Sequence, residues 1–244
     1  MIQNLIPTAK ILRQSSKDFF NPYMLKLSFL PLVLSFLFWA VIFYFFAPSI
    51  FGSLFEMSKV ELMLENGFFS WIQDVLDFVI KVTLFILFVI VFFLLSMLSN
   101  LVICAFLAEK VVKFVHRTYY SNLAMEGNQS IFGVVFFLFK AYLLYFFILV
   151  LLIPLYFIPF VGAFVMLFPS YWIFKKTLIA DVGDMIFEKN SLKKAQEENK
   201  KELRKLAISL YALSLIPFLN FFIPFYALLG LSHFFFDVKN KGKL

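Results

Sequence analysis

The sequence predicts an all-α integral membrane protein in which two long transmembrane helices extend into the cytoplasm beside two proline-broken helical hairpins. Three observations predict it. Of 244 residues, 62% are hydrophobic, 38 are Phe and only 15% are charged, far from the balance of a soluble domain. The charges fall into gaps between long uncharged runs. An Ile-Pro-Phe knot also occurs twice, as Ile158-Pro159-Phe160-Val161-Gly162-Ala163-Phe164 and as Ile216-Pro217-Phe218-Leu219-Asn220-Phe221-Phe222, each near the middle of such a run.

Residues 1–20 predict an interfacial helix, because Ile2, Leu5, Ile6, Ala9 and Leu12 recur at helical spacing with Lys10 and Arg13 off the stripe. The basic start resembles a signal n-region, but the run that follows is too long and lacks a small-residue cleavage site, so a retained anchor is expected. Asn21-Pro22 breaks the helix. Residues 27–47 give 21 uncharged residues for a first span, enough for a hydrocarbon core of about 30 Å, and Pro48 is expected to end it. The connection 49–77 carries Glu56, Glu61, Glu65, Asp74 and Asp77 against Lys59 and reads as an external soluble segment.

The second long helix is expected over 82–126. It is uncharged from Val82 to Ala108, and Val111, Val112, Phe114, Val115 and Tyr119 then keep a helical stripe until Gly127-Asn128 stops it. A third helix begins near Ser130, a candidate cap, and leads into the first hairpin, so that 130–174 form one unit. Residues 175–205 hold nine Lys/Arg and six Asp/Glu and predict a charged cytoplasmic helix. Asn190 or Ser191 is its expected cap, with Glu197, Lys201 and Lys205 at i, i+4 spacing. The second hairpin occupies 206–236, followed by a basic tail of Lys239, Lys241 and Lys243.

Each hairpin is short. The uncharged runs Ala141–Phe174 and Leu206–Phe236 hold 34 and 31 residues, which must supply two arms and a turn, whereas one full span needs about 20. Half-depth arms or very tight full spans are the two readings. Pro159 and Pro217 stop the incoming helix, and Gly162 and Asn220, three residues later, are the residue types that best tolerate a left-handed turn. Broken apolar segments in matching places are a sequence pointer to a transporter's binding region. An ordinary tight hairpin explains the same prolines.

Orientation follows from Lys and Arg, which keep short loops cytoplasmic. Four precede the first span, three lie in 109–130, nine in 175–205 and three in the tail, against Lys59 alone in the acidic connection. Both termini are therefore expected inside. The same distribution reads the net charge of +7 as topology signal and contact with anionic membrane lipid rather than with nucleic acid.

The order and spacing of Asn21-Pro22, Leu30-Pro31-Leu32, Phe157-Ile158-Pro159-Phe160-Val161-Gly162, Asp181-Val182 and Ile216-Pro217-Phe218-Leu219-Asn220 with Pro224 resemble the CysZ family, within the superfamily of the etoposide-induced membrane proteins. The resemblance implies an oligomeric protein of the bacterial inner membrane associated with sulfate uptake, with two long helices and two half-penetrating hairpins. Where that family carries Gly-Leu-Arg-Arg, implicated in holding sulfate, this chain has Tyr23-Met24-Leu25-Lys26, so that one basic position survives. A lysine is a compact point charge and lacks the paired donors with which a guanidinium grips an oxyanion.

Four residues are the expected binding positions for an inorganic oxyanion such as sulfate: Lys26, Asn100, Gly162 and Asn220. Lys26 lies at the cytoplasmic mouth of the first span, although lysines there also serve as snorkelling anchors, as do Lys81 and Lys140. Asn100, with Ser96 and Ser99, makes a polar patch in the second span that interhelical hydrogen bonding would also explain. Gly162 and Asn220 mark turns whose following helix ends would offer free N–H donors. No cofactor is expected. Cys104 is the single cysteine, His116 and His233 have no sequence-near ligand partners, and no phosphate loop, nucleophile elbow or intramembrane carboxylate pair is present, so an enzyme lacks its parts. Two functions remain: an anion permease or channel, and a structural or scaffolding membrane protein without a transport pathway.

Overall fold

The computed structural model describes residues 7–58, 70–127, 131–158, 161–216 and 218–242, and these are helical with no strand among them. In chain order the helices are α1 (Thr8–Phe19), α2 (Pro22–Ser58), α3 (Ser70–Tyr119), α4 (Ile131–Leu151), α5 (Ile153–Tyr156), α6 (Val161–Val165), α7 (Leu167–Ile186), α8 (Lys189–Glu198), α9 (Lys200–Ser214), a 3-10 turn (Leu219–Phe221) and α10 (Ile223–Gly242). They divide into two compact units, Phe29–Ile103 and the remainder of the chain.

The smaller unit holds the apolar lengths of α2 and α3. At about 1.5 Å per residue the 37 residues of α2 reach about 56 Å and the 50 of α3 about 75 Å, both well beyond a bilayer core. Only 11% and 6% of their most apolar windows are buried, so neither is the core helix of a soluble fold. The helices lie antiparallel and touch through rings: Phe36 on Phe92 and Phe93, Phe43 on Phe88 and Phe92, and Phe51 on Phe88, with centroids 5.4–6.1 Å apart. Bulky residues on both faces hold the backbones apart, unlike the close approach that small residues permit.

Pro48, expected to end the first span, lies inside α2, as does Pro31. In an apolar medium helix is the one local way to satisfy the backbone, so the chain gives up single hydrogen bonds at the prolines rather than the helix. The segment expected as a soluble connection is accordingly helical at 49–58 and 70–77, and its centre lies outside the described residues.

The larger unit is built around α10. From Ile223 to Lys239 every residue except Tyr226 is buried, and Phe225, Leu229, Phe235 and Phe236 fully so. Helices α1, α7 and α9 pack on it, and Ala108, Val111, Val112 and Val115 of α3 add a second buried stripe. The return arm of the second hairpin is therefore core, and it runs past the expected limit at 236 to Gly242. Lys239, read as a tail residue, is 4% exposed and paired within the fold.

Three further expectations shift. α1 turns Ile11, Ser15 and Asp18 inward at i, i+4, i+7, and leaves Ala9 exposed, so it docks on α10 instead of presenting the Ala9 and Leu12 stripe. α3 ends at Tyr119, not Gly127: the His116 imidazole donates to the Leu123 carbonyl (2.7 Å) and the chain turns onto α7. Gly127 serves close approach there, since a Cβ would collide with the Asp184 carbonyl oxygen. The charged stretch breaks at Asn199 into α8 and α9, which separates Glu197 from Lys201 and Lys205, and the N-cap of α8 is Glu188 rather than Asn190 or Ser191. Burial of Leu192 and Ala195 against the core sets that register. The expected cap Ser130 lies outside the described residues.

Candidate functional site

The four positions expected to bind an oxyanion lie on four separate elements: Lys26 near the start of α2, Asn100 in α3, Gly162 in α6 and Asn220 in the 3-10 turn. Lys26 is held in place by its neighbours. Pro22 opens α2, where its missing N–H costs nothing, and Asn21 accepts the Tyr23 N–H through Oδ1 at 3.0 Å. Met24 and Leu27 are buried and Tyr23 stacks on Phe114 (6.1 Å, 28°), which leaves Lys26 exposed.

In the smaller unit Ser96, Ser99 and Asn100 occupy one face of α3. Asn100 and Ser96 are fully buried, and the Trp39 indole N–H donates to Ser99 Oγ at 2.8 Å. The Trp39–Ser99 bond crosses from α2 to α3 and ties them at that height, while the Ser96 hydroxyl is buried without a hydrogen-bond partner among the described residues. Beside it runs a cleft of about 360 Å³ lined by Trp39, Phe43, Ile50, Leu54, Phe88 and Leu95, among others, all apolar. Such a wall offers an anion no donor, and desolvating charge there is prohibitive.

The turns differ from expectation. Gly162 is helical, its N–H bonded to the Ile158 carbonyl at 3.0 Å, and no described glycine has positive φ. Asn220 sits in the 3-10 turn, half-buried. The left-handed residue is Phe218, at φ 64° and ψ −37°. Its neighbours fix it: Phe221 N–H bonds back to the Phe218 carbonyl and Phe221 and Ile223 are buried, so the strain is placed two residues earlier than the sequence suggests.

The larger unit contains a buried polar cluster that the sequence does not announce. His233 on α10 donates through Nε2 to Asp18 Oδ2 on α1 (2.6 Å), and Tyr119 on α3 donates to Asp18 Oδ1 (2.6 Å). Gln14 Nε2 in turn donates to the Tyr119 hydroxyl (2.7 Å). Asp18 and His233 are each 4% exposed at the side chain. The usable signal was the single carboxylate of α1, seven residues on from Ile11 and four from Gln14. Nearby, burial first and then the charges of Asp237 and Asp18 push the Tyr120 hydroxyl up to about 12, which keeps it neutral. On α7, burial and then Asp184 raise the Asp181 carboxyl to about 7. Among the described residues no three His, Cys, Asp or Glu side chains converge as a metal site.

No curated protein matches the sequence. Residues 11–224, nearly the whole chain and all of α2 through α9, match a single family model. With two exposed apolar helices of spanning length and an otherwise all-helical fold, the chain belongs to the family described as sulfate transporter CysZ/etoposide-induced protein 2.4.

Proposed function

We propose that this chain is an anion permease or channel for sulfate-like oxyanions in the bacterial inner membrane, working as a homo-oligomer with both termini cytoplasmic. The observation that carries the reading is the family match over residues 11–224. The hairpins are read as half-penetrating: the uncharged part of α9, Leu206–Ser214, and the turn after it run only about 13–20 Å, short of a 30 Å core. Their tips are apolar and outward, with Phe157 and Phe218 each over 70% exposed. Lys26 attracts the anion at the cytoplasmic mouth, and Asn100, Gly162 and Asn220 are the further positions proposed to bind it. No motif for nucleotide hydrolysis accompanies them, so movement is passive, gated or ion-coupled.

Sulfate flux into sealed vesicles holding the purified protein tests this, with chloride and phosphate as competitors and Lys26→Ala as control. Saturable uptake that falls in Lys26→Ala supports the reading. No flux above empty vesicles, with the protein folded and inserted, favours the structural alternative, in which the exposed hairpin tips wedge one leaflet.

A further inference from the structure

We propose that Lys175 on α7, with Lys200 and Arg204 on α9 and the Tyr171 hydroxyl, forms a binding site for a doubly charged tetrahedral oxyanion. The inference rests on the anion reading for its choice of ligand, and goes beyond it by naming a site outside the four positions discussed above.

Packing brings the elements together. The Tyr211 ring of α9 lies against Tyr171 (5.5 Å) and Phe174 (5.6 Å) of α7, and its hydroxyl donates to the Leu167 carbonyl at 3.2 Å. Lys175 is one turn beyond Tyr171 on α7. Arg204 and Lys200 lie two and three turns before Tyr211 on α9, at the i−7 and i−11 positions of the same helix face. The two helices thus present three cations toward one place.

Two observations point to a ligand at this place. Lys175 is half-buried, and burial together with the positive charges of Lys200 and Arg204 holds its ammonium below the ordinary lysine range. Among the described residues none of the three cations forms an ion pair, although 175–205 carries six Asp and Glu, one of which, Glu198, pairs with Lys194 instead. The second observation is Tyr171, whose hydroxyl oxygen is buried without a hydrogen-bond partner among the described residues. Arg204 is within electrostatic reach of that oxygen. Lys200 and Arg204 are exposed, so a ligand can reach them from solvent, and the buried Tyr171 hydroxyl beside them lacks the acceptor that an anion would supply.

Charge and geometry select the ligand class. One guanidinium supplies paired parallel donors, two ammonium groups supply point charge and the phenol supplies a neutral donor, which together suit the four oxygens and double charge of sulfate or phosphate. The first N–H groups of α9, unsatisfied by any side-chain cap, add to the positive field at Lys200. Lys176 is engaged elsewhere, over the Trp172 ring at 4.6 Å. The site supplies the guanidinium that Tyr23-Met24-Leu25-Lys26 lacks. Because Lys175 follows directly on an uncharged run, the oxyanion could arrive free from water or as the phosphate of a lipid headgroup.

The full-length protein, delipidated in non-ionic detergent, should bind radiolabelled sulfate, and Arg204→Gln and the Lys175→Gln/Lys200→Gln/Arg204→Gln variant should weaken it by tenfold or more. Tyr171→Phe, which removes one oxygen and should fold, should weaken it several-fold. A parallel arm measures phosphatidylglycerol retained from mixed nanodiscs whose other lipid is phosphatidylcholine. Cluster-dependent sulfate binding assigns a free oxyanion, and cluster-dependent phosphatidylglycerol enrichment assigns the headgroup. Equal binding of both ligands by wild type and the triple variant overturns the site, whatever the flux assay gives. Binding that depends on the cluster in a protein showing no flux would keep the site and discard permeation.

Discussion

Asp18 and His233, 215 residues apart, meet at 2.6 Å in the core of the larger unit and join the first helix of the chain to the last. Tyr119 of α3 shares the same carboxylate, so three elements remote in sequence are tied at one atom group. Removing the carboxylate strands a buried imidazole and takes the acceptor from the more exposed Tyr119 hydroxyl. Asp18→Ala should therefore destabilise the protein by about 3 kcal/mol, and Asp18→Asn, whose amide oxygen still accepts, by less. Thermal unfolding in detergent measures both. A loss under 1 kcal/mol for Asp18→Ala would mean the cluster does not hold α1 to α10. The double variant with His233→Ala should lose less than the sum of the two single losses, because both break one network.

Lys239 makes a second tie, in the last turn of α10. Its ammonium donates to the Ile186 carbonyl at the end of α7 (3.0 Å), pairs with Glu126 (3.0 Å) and lies 5.3 Å above the Phe187 ring. Lys239→Met keeps the aliphatic stem and removes the donor. It should lower stability by about 2 kcal/mol and raise proteolytic cleavage within 120–127, the segment that Glu126 tethers. Unchanged cleavage there would show that Gly127 packing alone secures the segment.

Asp181 is the titrating group of α7. Burial, and then Asp184, raise its carboxyl from 3.8 to about 7. Between those values the folded chain keeps a proton that the unfolded chain releases, so the residue favours folding at low pH and loses that contribution as pH rises toward 7. Asp181→Asn cannot ionise. Its stability relative to wild type should therefore rise between pH 4.5 and pH 8, by on the order of 3 kcal/mol. A gap that stays constant over that range would place the carboxyl in a more solvated site.

Much of the fold was legible because it depends on composition and run length. Leu27–Ala47 and Val82–Ala108 are uncharged over spanning distance, and both lie in long exposed helices. Helix limits were less legible, since Pro48 breaks a helix in water but is carried within one in an apolar stretch. The role of α10 could not be read at all: a run such as Ala227–Phe236 is equally apolar whether lipid or protein covers it. For the same reason Asp18 and His233 gave no sign of each other, and nothing in 175–205 announced that Tyr211 brings α9 onto α7.

Trp39 and Ser99 offer a direct measure of the polar belt in the smaller unit. Their 2.8 Å hydrogen bond crosses between α2 and α3 beside ring pairs such as Phe36–Phe92 and Phe43–Phe92 and an apolar cleft. A double-mutant cycle with Trp39→Phe and Ser99→Ala should give a coupling of about 0.6 kcal/mol, the usual worth of such a bond in a membrane protein. A coupling of zero would leave the rings as the whole of the interaction.

Phe218 carries the strain of the second hairpin. At φ 64° and ψ −37° a side chain crowds the backbone, while its own ring is 76% exposed and packs on little. The conformation costs about 1 kcal/mol relative to glycine, and the exposed ring returns almost none of it in detergent. Phe218→Gly should therefore stabilise the purified protein by up to about 1 kcal/mol after the larger chain entropy of glycine is counted, whereas Phe218→Ala keeps the strain and should not. If both variants lose stability equally, the ring contributes through contacts and the turn is not strained. If glycine stabilises in detergent but weakens the protein in bilayers, the strained turn is retained because it holds an aromatic side chain in the lipid, as a half-depth hairpin requires.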